Sequence, residues 1–201
     1  SVTVADVQGI RTNVYDVAML SLSEENLPDG TVLSRPTDSL GRPSGLSLGP
    51  NYSVFYDFDA YGQFSAVSSS VDSVSSVANY AYVPGSRLVE GYTIDDLTRT
   101  VTYETNHDLI VSVTNAWNES PISIFAYQND AIGRRTVRTD SGSVTNRFGY
   151  NYRSEVTSAV MGTNVFGYAY DPIGNRLAAT NNATATTYAA NALNQYTNII
   201  N

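Results

Sequence analysis

Apolar positions alternate with period two over most of this chain. Tyr52, Val54, Tyr56 and Phe58 share one side of an extended segment, and Phe166, Tyr168 and Tyr170 share one side of another, with Val165, Gly167 and Ala169 opposite. No window carries helical spacing over a useful length, so an all-β fold is predicted. Each alternating run ends in a polar string. In Asp171-Pro172-Ile173-Gly174 the Asp bonds its own backbone two residues on, Pro pre-sets φ at the first corner, and Gly accepts positive φ at the exit. The product is a β-hairpin.

That hairpin recurs at a nearly fixed pitch. Asp130 to Gly133, Asn151-Tyr152, Asp171 to Gly174 and Asn191 to Asn194 begin 21, 20 and 20 residues apart, and upstream Asp38 to Gly41 and Asp59 to Gly62 repeat the turn at a spacing of 21. Tyr80 to Gly85 is a copy with Val83 where Asp is expected, and Tyr103 to Leu109 is a blurred one. About eight units are read between residues 31 and 201, which marks a repeat architecture. The turn positions Asp38, Gly41, Asp59, Gly62, Gly85, Asp130, Gly133, Asn151, Asp171, Pro172, Gly174, Asn191 and Asn194 are expected to be structural. Tyr56, Tyr80, Tyr82, Tyr127, Tyr150, Tyr152, Tyr168, Tyr170 and Tyr188 are expected to form an aromatic ladder across the strands.

Residues 1–30 read as degenerate incoming strands, one around Val2, Val4 and Val7, another from Asn13 to Leu22, then a polar connection from Glu24 to Gly30. Residues 65 to 78, rich in Ser and Val, read as two strands around a turn near Asp72. Ile94 to Glu104 and Leu109 to Trp117 read as a hairpin with Asn106-His107-Asp108 at its tip. No capping element is read at the ends, so the array is expected to belong to a longer protein or to stack on copies of itself through its sheet edges.

The Tyr168 to Leu177 core, with its variant at Asn191 to Gln195, resembles the YD repeat, also called the RHS repeat. The resemblance covers roughly residues 31 to 201. It implies a long twisted meander of antiparallel β-hairpins of the kind that winds into a hollow shell in insecticidal toxin complexes, polymorphic toxins and teneurins. It also implies a structural, non-enzymatic role in a secreted or surface-exposed protein, with an enclosed toxin domain as a possible partner. A string like Asp171-Pro172-Ile173-Gly174 marks self-cleavage at the end of such shells, but Asn175-Arg176-Leu177 continues here as an ordinary repeat. The alternatives are a self-assembling extracellular fibre or tube and an adhesin module that holds glycans on its tyrosines.

Composition narrows the function classes further. The formal charge is −8 and all eleven basic residues are Arg, so the surface repels phosphate backbones and argues against nucleic-acid binding. The absence of Cys excludes disulfides and thiolate metal sites, and no apolar run reaches membrane-spanning length. No cofactor or metal site is expected. Gly45-Leu46-Ser47-Leu48-Gly49 matches the nucleophile-elbow string, but Pro50 follows where a helix is required. His107 is the only histidine, and Asp57 and Asp59 are the only close carboxylate pair weighed for catalysis or calcium. All are read as turn or strand residues. Asn51, Asn118 and Asn182 head glycosylation-type triplets, which chance alone supplies in a chain this rich in Asn, Ser and Thr.

Overall fold

The computed structural model describes residues 1–200; Asn201, the last residue of the expected array, lies outside them. Nineteen strands form an open antiparallel sheet in which each pairs with the next. They are β1 Val2–Asp6, β2 Gly9–Tyr15, β3 Leu22–Asn26, β4 Val32–Ser34, β5 Gly45–Leu48, β6 Tyr52–Phe58, β7 Phe64–Val71, β8 Val74–Tyr82, β9 Val89–Ile94 and β10 Leu97–Tyr103, followed by β11 Ile110–Trp117, β12 Ser120–Asn129, β13 Arg135–Asp140, β14 Val144–Tyr150, β15 Val156–Met161, β16 Asn164–Tyr170, β17 Arg176–Asn181, β18 Thr184–Ala190 and β19 Tyr196–Ile200. The chain divides into two compact units, residues 1–99 with 117–119, and residues 100–116 with the remainder from Ser120.

Because the strands simply alternate direction, successive connections fall on opposite edges. In each unit one edge carries the wider turns: those starting at Asp16, Asp38, Asp59 and Val83 in the first, and those starting at Glu104, Asp130, Asn151, Asp171 and Asn191 in the second. The other is made mainly of tight connections such as Asp72-Ser73, Asp95-Asp96, Asn118-Glu119 and Asn182-Ala183. Asp72, Ser73, Asp95, Asn118, Glu119 and Asn182 take positive φ there, as two-residue hairpins that match strand twist require.

Three expectations are corrected. Asn13 to Leu22 is not one strand: β2 stops at Tyr15, and the Asp16 carboxylate, accepting the N–H groups of Ala18 and Met19, folds a turn that the apolar run Val17 to Leu22 conceals. Glu24 to Asn26 belong to β3, and the connection shrinks to Leu27 to Thr31, where Pro28, Asp29 and Gly30 supply the turn chemistry. Ile94 ends β9 rather than opening the next hairpin, since Asp95-Asp96 intervenes before β10.

A feature without a period-two signal recurs beside the wider turns. The register slips by one residue at Val14/Tyr15, Asp57/Phe58, Ala81/Tyr82, Gln128/Asn129, Gly149/Tyr150, Ala169/Tyr170 and Ala189/Ala190. The returning strand thus holds one extra residue, a β-bulge. At three of these bulges the extra residue carries a hydroxyl that bonds across the ladder. Ser23, Thr136 and Thr197, each the extra residue, donate their hydroxyls to Val14, Gln128 and Ala189 O at 3.0, 3.2 and 3.2 Å.

A single sheet has little interior. Among the described residues the buried hydrophobic side chains are Val101, Val113, Val137 and Ala159, with one buried polar side chain, Asn146. The array is therefore held by cross-strand neighbours and by the polar chemistry of its turns rather than by a thick core.

Candidate functional site

The wider turns concentrate the side-chain chemistry. In all of them but the Val83 and Glu104 turns, the leading residue accepts two backbone N–H groups through one oxygen. Asp38 takes Leu40 and Arg42 (both 2.9 Å), Asp59 takes Tyr61 and Gln63 (2.8 and 2.9 Å), Asp130 takes Ile132 and Arg134 (3.1 and 2.9 Å), and Asp171 takes Ile173 and Asn175 (3.0 and 2.8 Å). Asn151 and Asn191 hold the same geometry with a neutral amide oxygen. An acceptor at that position suffices, and its charge is not needed. The fourth residue takes positive φ, as Gly41, Gly62, Gly133 and Gly174 do, with Ser154 and Asn194 in the equivalent place. Pro172 stands at the second position of its turn, and Gly85 takes φ 75° within the Val83 turn.

The blurred unit has a physical account. Glu104 plays the leading role there, accepting the N–H of Asn106 at 3.2 Å and that of His107, with His107 Nδ1 3.2 Å from its Oε1. Its longer side chain spans a turn one residue wider, closed by Glu104 N on Leu109 O, and Asp108 takes the positive φ. Sequence reading missed Glu104 because it looked for Asp at a fixed distance from Gly.

The fifth residue ties turn to turn. Arg42 and Arg134 each place Nε 2.7 Å from the leading Asp of their own turn, and Arg134 Nη1 goes on to Asn151 O at 2.9 Å. In the Asn151 turn the third residue, Arg153, makes the link instead: it pairs with Glu155, the fifth residue, and donates to Asp171 O and Pro172 O of the following turn. Asn175 reaches Asn194 at 3.3 Å and Gln63 reaches Ser86 O at 2.9 Å.

These bonds hold several carboxyls in their charged form. For Asp38, Asp130 and Asp171 partial burial works against ionisation, but N–H donors and the neighbouring Arg or Asn side chain outweigh it and leave each carboxyl below its ordinary range. Glu155 is lowered by the Asn151 amide, against burial, with Arg153 adding to it. A group of this kind stabilises the fold fully above its unfolded value, about 3.9 for Asp and 4.3 for Glu, and the contribution is lost as pH falls through the lower folded value. Thermal midpoints are expected to hold steady down to about pH 4 and to fall below it. Replacing Asp130 by Asn is expected to flatten that fall, and an unchanged acid profile would refute the assignment.

The tyrosines occupy three kinds of position. Tyr82, Tyr150 and Tyr170 precede a turn and donate their hydroxyls to Phe64, Arg135 and Val156 O at 3.0, 2.8 and 2.9 Å, stapling one hairpin to the previous one. Tyr56, Tyr80 and Tyr188 pack on Phe64, Tyr92 and Tyr196 with ring centroids 5.7, 5.9 and 5.4 Å apart. Tyr127 and Tyr168 lie under arginines, Arg135 at 3.6 Å and Arg176 at 5.0 Å. Tyr152 is corrected: it stands in the turn after β14, outside any strand and 92% exposed. Arginine's part as ring partner was missed, although its placement at or just after the turns was visible.

Residues weighed for chemistry are dispersed. Ser47 lies on β5 opposite Ser34 and Ser53, and Asp57 lies on β6 opposite Ala66 while Asp59 is engaged in its turn. Among the described residues no three His, Asp or Glu side chains come together as a metal site, and no helix is long and apolar enough to cross a membrane. A concavity of about 720 Å³ lies between the Asp59 and Val83 turns and is lined by Asp59, Tyr61, Gln63, Tyr82, Ser86 and Arg87 among others. Burial, then the nearby Asp59 carboxylate, push the Tyr82 phenol up.

In sequence, neither a family model nor a curated protein matches the chain. In structure, TcdB2-TccC3 without its hypervariable C-terminal region superposes over 96% of this chain with a TM-score of 0.74 at 12% identity. The fold is of the RHS type. TcdB2-TccC3-Cdc42 gives 0.61 over 96% at 10% identity, and the Tc holotoxin pore of Photorhabdus luminescens gives 0.51 over 92% at 14% identity. This chain spans 12 to 13% of the length of those proteins. Such divergence with retained RHS-type geometry fits turns that ask for an acceptor and a permissive backbone, not for a fixed sequence.

Proposed function

We propose that this chain is a non-enzymatic wall segment of a secreted or surface-exposed RHS-type shell, whose partners are further repeats of the same sheet and an enclosed toxic domain. The observation that carries the reading is the match of nearly the whole chain to a small part of TcdB2-TccC3. The chemistry agrees with it. Most of the polar side chains of the wider turns bond to the backbone or to each other, which suits a wall and leaves little for catalysis. The clamps from turn to turn let the array add units without a thick core.

The intact mass of the native protein under denaturing conditions, joined to electron microscopy of the assembly, tests this. The expected result is a mass well above the 21.7 kDa of this chain and a closed hollow particle. A mass near 21.7 kDa with extended polymers would replace the wall by a self-assembling fibre.

A further inference from the structure

The Asp59 turn is tied to the Val83 turn more lightly than Asp130 is to Asn151 or Asn151 to Asp171, where an Arg makes the link. Val83 cannot act as an acceptor for the backbone, and its turn closes one residue later, through Val83 N on Leu88 O. Among the described residues no guanidinium bridges these two turns; the Gln63 amide spans them instead, donating to Ser86 O. The cleft of about 720 Å³ is the result.

Its lining differs from that of the other turns in three ways. Tyr61, 84% exposed, stands at the third turn position, where Leu40, Ile132, Ile173 and Leu193 stand elsewhere. Arg87 is exposed and makes no ion pair, hydrogen bond or ring contact among the described residues. Asp59 uses Oδ1 on its turn, and unlike Asp38, Asp130 and Asp171 it has no side-chain donor on Oδ2.

We infer that this cleft binds a neutral pyranoside, with the Tyr61 ring against the sugar's C–H face and Asp59 and Arg87 bonding its hydroxyls. A pyranose offers an apolar face and adjacent hydroxyls that both donate and accept, which matches a cleft lined by an aromatic ring, an acceptor-only carboxylate and a donor-only guanidinium. A wholly apolar ligand would strip water from both charges without replacing it. A phosphorylated ligand would meet the Asp59 carboxylate on a chain of net charge −8. The inference is independent of the shell: a wall segment and a free fibre would present the same cleft.

Saturation-transfer NMR on the full chain, with the methyl glycosides of glucose, galactose, mannose and N-acetylglucosamine as probes, tests it. Transfer to the ring protons of at least one probe is expected. Binding is expected to weaken roughly tenfold in Tyr61→Ile, the loss of one aromatic contact, and comparably in Arg87→Ala. Ile already occupies this turn position at Ile132 and Ile173, so the variant is expected to melt with the parent. No transfer to any probe, or unchanged transfer in both variants, would overturn the site.

Discussion

Changing Asn146 to Asp is expected to destabilise the second unit strongly at neutral pH and little in acid. Asn146 is 3% exposed, and its amide donates to Asp140 Oδ2 at 3.1 Å and to Arg138 O at 3.5 Å. A carboxylate donates nothing and sets a second negative charge beside Asp140, which Arg138 alone, at 2.7 Å, must then balance. Breaking a buried charged network of this kind costs about 3 kcal/mol, a fall of roughly 6 to 12 °C in melting temperature for a chain of this length. The sign with pH follows from burial and like charge, which both raise the folded pKa of the introduced carboxyl above its unfolded value of about 3.9. The penalty is therefore complete at neutral pH and disappears as pH falls towards the unfolded value. Melting curves of parent and variant at about pH 7 and about pH 3.5 decide the matter. An equal gap at both would show that shape, not charge, is what Asn146 supplies.

Gly45→Ala is expected to loosen the pairing of β5 with β6. Gly45 is buried and lies opposite Phe55. A Cβ there would stand 2.5 Å from a Phe55 ring carbon and 2.7 Å from Val54 O. Phe55, 43% exposed, has room to swing its ring away; the Val54 carbonyl is backbone and moves only with the strand. Overpacking of this kind costs about 2 kcal/mol, or roughly 4 to 8 °C. Adding Phe55→Ala to Gly45→Ala is expected to restore little, because the clash with Val54 O remains. Full recovery in the double variant would place the strain in the ring instead, and a parent-like melting temperature in the single variant would refute the close approach.

Much of this architecture is legible before any coordinates. Strand positions follow from period-two alternation, as at Tyr52 to Phe58. The turns at Asp38, Asp59, Asp130 and Asp171 follow from an acceptor followed by a residue that accepts positive φ. Where the signal weakens, the physics still holds but another residue carries it. Glu104 substitutes for Asp in a longer turn, and Asp16 works inside an apolar run that masks it. A rule about side-chain identity loses both, and a rule about the acceptor finds them. The candidate cleft shows the limit from the other side. Tyr61 and Arg87 are 26 residues apart in sequence, and nothing local says that two successive turns bring them to one concavity.

The sequence by itself determined the fold class, the pitch and the turn chemistry, because hydrogen bonds within five residues and alternation within a strand depend only on neighbours in the chain. The tertiary structure decided what depends on the next hairpin. It set the one-residue bulges that let Ser23, Thr136 and Thr197 serve as donors, the reach of Arg134 and Arg153 into the following turn, and the stapling of Tyr150 to Arg135 O. It also separated Tyr152, exposed in a turn, from Tyr150 two residues before it. Those contacts join residues about 8 to 20 apart in the chain, through a register that alternation alone leaves open by a bulge.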